Sequence, residues 1–117
     1  MIYIYKPGCE GFDWDDANVQ HVARHGLEPT DVEQALANDP VTLEYSVTRD
    51  GEKRWVSLGP TGSAGAGRLI VVVWTVRGAR VRVVTAYPAA RRLEAEYAKA
   101  RIGKGGRQED SKVRNGG

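Results

Sequence analysis

The 117-residue chain is long enough for one domain with a modest core, and 41% hydrophobic with 27% charged residues is the balance of a globular protein. No apolar run approaches the ~20 residues of a membrane-spanning helix, and a single cysteine, Cys9, excludes an internal disulfide and a cysteine-rich zinc site. The net charge of +2 hides an asymmetry: residues 1–65 carry 5 Lys/Arg against 11 Asp/Glu and residues 66–117 carry 12 against 4, so the second half is the one suited to a polyanion.

The opening MIYIYKPG lacks the basic and apolar stretches of a secretory signal, which points to a cytoplasmic protein. Its residues 2–5 (IYIY) are β-prone and read as a short edge strand or arm. A first helix is predicted over Asp16 to His25, capped by Asp13 or Asp15, with Val19, Val22 and Ala23 as its apolar stripe. Gly26 stands where a left-handed residue ends it. Thr30-Asp31-Val32-Glu33 matches a capping box for a second helix, which Asn38-Asp39-Pro40 stops.

From Val41 the apolar period changes to two. Val41, Leu43 and Tyr45 mark a half-buried strand, Asp50-Gly51 a hairpin turn, and Arg54 to Gly59 the next strand. PTGSAGAG is a flexible connection. Leu69 to Val76 is almost wholly apolar, as in a central strand covered at least partly on both faces. After Arg77-Gly78 a fourth strand runs from Arg80 to Ala86. Pro88 suits the first turn of a last helix over Ala89 to Arg101. The expected fold is α+β: two N-terminal helices, a four-stranded antiparallel β-meander and a C-terminal helix, one domain over residues 1–102. Residues 103–117 form a basic, glycine-rich tail with too few apolar groups to offset the entropy of ordering, hence disordered.

The most informative pattern is Arg80-Val81-Arg82-Val83. On a strand its two arginines share a face and stand ~7 Å apart, a spacing suited to gripping a phosphate backbone through bidentate guanidiniums. A plain solvated face is the alternative. Arg54 and Arg68 lie on neighbouring strands, and Arg91 and Arg92 open the last helix, so all could extend the patch. His21 and His25 share a helix face, open to a role in proton transfer, in a weak metal site with Asp15 or Asp16, or in capping the helix end. Trp55, opposite Val56 and Leu58 in the alternation, is the candidate for an exposed stacking ring. Trp14, Trp74 and Tyr97 read as core. Glu44, Glu52 and Glu94 are candidate bases that spacing does not rank. No phosphate-binding glycine loop or serine or cysteine nucleophile motif is present.

Phe12-Asp13-Trp14-Asp15, Arg24-His25-Gly26, TDVEQAL at 30–36, Arg54-Trp55 with Gly59, RLIVVVWTVRG, RVRVVTA and RRLEAEY occur in an order that resembles the BrnT toxins, over residues 12–100. That resemblance implies a RelE-like fold and an endoribonuclease that inhibits translation. It also implies a partner antitoxin (BrnA-like) with a ribbon-helix-helix domain that forms a hetero-oligomer with the toxin. RNA supplies its own nucleophile, the 2′-hydroxyl, so no metal or cofactor is required for the expected chemistry. Arg80 and Arg82 are then the phosphate clamp, Arg54 or Arg91 the transition-state stabiliser, His25 an acid or base, and Tyr87 a proton donor or stacking platform. Arg68, Arg91, Arg92 and Trp55 extend the RNA contact. The chain departs from the family pattern at Tyr87, where an arginine is expected, and at Leu93, where a glutamate is expected. The alternative is therefore a catalytically inactive homologue that binds RNA or antitoxin.

Overall fold

Asp15 starts the first helix, α1 (Asp16–Ala23). Its carboxylate accepts from the Asn18 amide at 3.1 Å, and the Asn18 side chain accepts from the Asp15 amide at 2.7 Å, satisfying two of the unpaired amides of a helix start. The helix ends at Gly26, whose φ of +77° suits glycine, with Leu27 N–H bonded back to Val22. The structure, a computed structural model, describes residues 11–62 and 67–100. The expected arm at 2–5, Cys9 and the tail at 103–117 lie outside these residues.

The second helix, α2 (Pro29–Ala37), begins before the expected capping box. Pro29, with φ pre-set by its ring, occupies the first helical turn. Asp31 rather than Glu33 reaches back, accepting from the Glu28 amide at 2.8 Å. Glu33 instead accepts from Trp14 Nε1 at 2.8 Å.

The strands β1 (Val41–Val47), β2 (Lys53–Pro60), β3 (Leu69–Arg77) and β4 (Arg80–Pro88) pair consecutively and antiparallel, in the order β1-β2-β3-β4. A third helix, α3, covers 91–100. The expected architecture is thus met. The start of the last helix differs: Pro88 ends β4 rather than opening α3, because it stays in register with Ile70 and the next amide, Ala89, still bonds the Leu69 carbonyl at 3.0 Å.

Alternation gives the sheet two unlike faces. Trp55, Ser57 and Gly59 of β2 align with Trp74, Val72 and Ile70 of β3. With Val81, Val83 and Ala86 of β4, the buried residues of this face pack on Val22, Leu27, Val32, Ala35 and Leu36 of the helical layer. Full burial of each large aliphatic side chain contributes about 1.5–3 kcal/mol. Gly59 is required here: a Cβ would collide with the Ala35 carbonyl of α2. On the second face, Leu58 and Val71 are also buried, so the central strands are covered on both sides at that end. At the other end the second face becomes polar. α1 packs along edge strand β4.

Candidate functional site

The polar end of the second face is built by register. Thr75 pairs with Arg82, and Arg77 with Arg80 across a two-residue Gly78-Ala79 turn, so the guanidinium-bearing residues of β3 and β4 share a side. Alternation along β2 puts Arg54 on the same side and Trp55 on the other. The side chain of Thr75 bonds the Lys53 carbonyl at 2.6 Å and ties the start of β2 to this end of β3. A bulge at Val73/Trp74 leaves Val84 as an extra residue in β4. Val84 lines a cleft of about 180 Å³ together with His21, Glu52, Arg54, Arg77 and Arg82.

Asn18 of α1 also lines this cleft and is its anchor to the edge strand. Buried to 2% exposure, it donates through Nδ2 to the carbonyls of Asp13 and Val83, each at 2.9 Å. A buried amide with every group paired fixes the helix to the strand, since breaking one bond leaves an unsatisfied partner.

The arginines are in different electrostatic states. Arg82 Nη1 lies 3.1 Å from Asp15 and 3.5 Å from Asp13, and its side chain is 14% exposed. Nη2 also donates to Asp15 at 3.3 Å. The hydrogen bond from Arg82, helped by the Asn18 amide, lowers the Asp15 carboxyl pKa below its ordinary value, and Asp15 raises that of Arg82. Arg54 and Arg77 share one carboxylate, Glu52, at 3.1 and 3.9 Å, and stay 38% and 56% exposed.

The remaining expected residues are not gathered at the cleft. Arg80 is exposed beside the turn. His25 faces Tyr87, with ring centroids 5.9 Å apart. Arg68, Arg91 and Arg92 are exposed at the opposite end of the sheet, where β3 begins and β4 ends. By strand rise that end is roughly 25 Å from Arg80. Trp55 is not the exposed ring expected of it. It is half-buried between Tyr45 and Trp74, stacked on the latter at 4.7 Å, because its strand position faces the helical layer. Trp14 packs against the core and Trp74 is buried, as expected, with Trp74 Nε1 bonded to Ser57 Oγ at 3.0 Å.

Two polar cleft residues, Arg77 and Asn18, are not among the candidates that the sequence offers, and spacing does not rank Glu52 above the other candidate bases. Arg77 was legible in principle, since two residues flanking a two-residue turn must pair and share a face. Among the described residues no group of three or more His, Cys, Asp or Glu is placed to hold a metal ion. No helix among them is long and apolar enough to cross a membrane, which does not bear on strand-built barrels.

A search of curated proteins gives no match. The model of one protein family does match, over residues 14–92, which include every residue that lines the cleft. It is described as the ribonuclease toxin BrnT of type II toxin–antitoxin systems. With well over half of its length matched, the chain belongs to the BrnT family of ribonuclease toxins.

Proposed function

We propose that this protein cuts RNA in the cleft between α1 and the β2–β3 end of the sheet, by metal-independent attack of the ribose 2′-hydroxyl on the adjacent phosphate. The observation that carries the reading is the placement of Arg54, half-buried, and Arg77, exposed, at the cleft, sharing a single carboxylate. Guanidinium forks bind non-bridging phosphate oxygens bidentately and stabilise the charge that grows on them in the transition state. Arg80 adjoins them. Arg82, already paired with two carboxylates, holds the cleft wall in place. His25 with Tyr87, then Arg68, Arg91 and Arg92, continue a track along which a single strand lies, with Tyr87 as a stacking platform.

Membership of a type II toxin family supports the following biological setting. The toxin acts on cytoplasmic RNA, inhibits translation, and is neutralised in a hetero-oligomer by a protein antitoxin with a ribbon-helix-helix domain. Purified chain incubated with total RNA, with and without EDTA, tests the chemistry. Chelator-resistant fragments ending in 2′,3′-cyclic phosphate or 3′-phosphate are expected. Loss of cleavage in EDTA would refute metal independence. A second reading, a non-catalytic module, is favoured by Tyr87 and Leu93, where the family pattern has arginine and glutamate. Retention of RNA without any fragmentation would establish it.

A further inference from the structure

We infer that Glu52 and His21 are the proton-transfer pair of the cleft, Glu52 taking the 2′-hydroxyl proton and His21 protonating the leaving 5′-oxygen. This assignment rests on the cleft being where RNA is cut. It begins by elimination. Apart from hydrocarbon side chains, the cleft is lined by Asn18, His21, Glu52, Arg54, Arg77 and Arg82. Arginine stays protonated throughout the accessible pH range, and amides and hydrocarbons exchange no proton usefully. Among the described lining residues, histidine and glutamate are the types able to act as acid or base. The nearby carboxylates of Asp13 and Asp15 are occupied by Arg82. His25 stands against Tyr87 and is not among the lining residues.

Position then separates the two roles. In-line displacement at phosphorus needs the incoming and departing oxygens on opposite sides, so base and acid belong on opposite walls. His21 comes from α1, which packs along β4; Glu52 comes from the β1–β2 hairpin, at the other side of the arginine row. Glu52 is also aimed. Its Oε2 is fixed by Arg54 Nε at 3.1 Å, while the nearest guanidinium nitrogen of Arg77 is 3.9 Å from Oε1, beyond hydrogen-bond range. Oε1 is thus free to accept a hydroxyl hydrogen beside the two guanidiniums that would hold the phosphate.

The step balances without a co-reactant. The 2′-O–H bond breaks and its proton passes to the Glu52 carboxylate. The 2′-oxygen forms its bond to phosphorus as the bond from phosphorus to the 5′-oxygen breaks. The His21 imidazolium gives its proton to that 5′-oxygen. The products are a 2′,3′-cyclic phosphate and a 5′-hydroxyl, and both residues then reset by exchange with water.

The test uses the full chain and the shortest oligoribonucleotide that the wild-type protein cuts, beside the same oligonucleotide with sulfur in place of the bridging 5′-oxygen. A thiolate leaves without protonation, so the sulfur substrate needs the base but not the acid. Glu52→Gln, nearly isosteric, is expected to lose about 10²–10⁴-fold in kcat on both substrates. His21→Ala is expected to lose a comparable factor on the oxygen substrate and less than about tenfold on the sulfur one. Unchanged thermal melting of both variants excludes misfolding, and His21→Asn replaces the alanine variant if it melts early. Equal loss on both substrates for the His21 variant, or full activity of Glu52→Gln, overturns the assignment while leaving cleavage in the cleft intact. A wild-type protein that cuts no RNA overturns the underlying reading as well.

Discussion

Arg82 and the Arg54–Arg77 pair stand on one face of the same sheet, a strand or two apart, yet they are not equivalent cations. Arg82 lies among two carboxylates and is 14% exposed; its cluster carries one net negative charge. Arg54 and Arg77 share one carboxylate at 38% and 56% exposure, and their cluster carries one net positive charge. Incoming phosphate would have to displace Asp13 and Asp15 from the first site, whereas the second attracts it outright. Arg82 also ties the start of α1 to β4, beside the Asn18–Val83 hydrogen bond, because its partner Asp15 caps α1. Arginines in one patch therefore divide by how many carboxylates they already serve: one serves two and two share one, and in the proposed function the sharing pair is the one left for the substrate.

The sharpest way to break this division is to remove Arg54. Arg54→Ala is expected to lower the rate of RNA cleavage by about 10²–10³, the usual cost of deleting one transition-state donor. Its melting temperature should move little, since the Arg54–Glu52 pair is still partly open to solvent, and ion pairs near the surface contribute about 0–1 kcal/mol. Arg82→Ala should do the reverse in emphasis. It leaves Asp13 and Asp15 facing each other without their cation and loosens α1 from β4, so thermal melting should fall by several degrees. Cleavage should fall less than in Arg54→Ala. Arg82→Lys should not restore the melting temperature, because a point charge cannot serve both carboxylates with the guanidinium fork. A variant lacking Arg82 that melts normally yet loses cleavage as severely as Arg54→Ala would make Arg82 the phosphate clamp that its alternation with valine first suggested.

That alternation shows what the sequence can convey. Period-two patterning placed Arg80 and Arg82 on one face of β4 and Val81 and Val83 on the other, and the register agrees. It is silent about what meets that face. Asp13 and Asp15 are 67 or more residues away along the chain, and their pairing with Arg82 exists only once α1 lies on the strand. Trp55 misled for the same reason. Val56 and Leu58 read as the inward set, but Leu58 is buried on the second face while Trp55 faces the helical layer, because both faces of the central strands are covered at one end. Local turns were more legible. Asp50-Gly51 and Gly78 sit where the hairpins form, with Gly51 and Gly78 at positive φ. The second helix moved its cap from Thr30 to Glu28 because Pro29 starts a helix unaided, a local signal that a capping-box match elsewhere in the same turn obscured.

Acid offers a finer separation of the two clusters. The Asp15 carboxyl pKa is depressed in the folded state, chiefly by the Arg82 hydrogen bond. The stability this adds is present above the ordinary carboxyl pKa of about 3.9 and is lost as pH falls through the lower, folded value. Asp15→Asn keeps a good capping residue but no charge. Plotted against pH, its melting temperature should lie below that of the wild type at neutrality and converge with it under strong acid. Curves separated by the same interval at every pH would mean that the Asp15–Arg82 ion pair contributes nothing through its charge.

The smallest effect tests the other cluster by salt. Each phosphate neutralised on a single strand releases condensed counterions and contributes a slope of about −0.7 to log K against log salt concentration. If Arg77 contacts phosphate, Arg77→Ala should make that slope shallower by about 0.7, measured by anisotropy titration of a labelled, uncleavable 2′-deoxy oligonucleotide across a salt series. Arg77 is more exposed than Arg54 and sits farther from Glu52, so it gives up less on binding and should contribute as a charge rather than as an aligned donor. Its loss should then weaken affinity at low salt and fade as salt rises. An unchanged slope in Arg77→Ala would confine the phosphate contact to Arg54 and Arg80, and would leave Arg77 only a neighbouring charge 3.9 Å from Glu52.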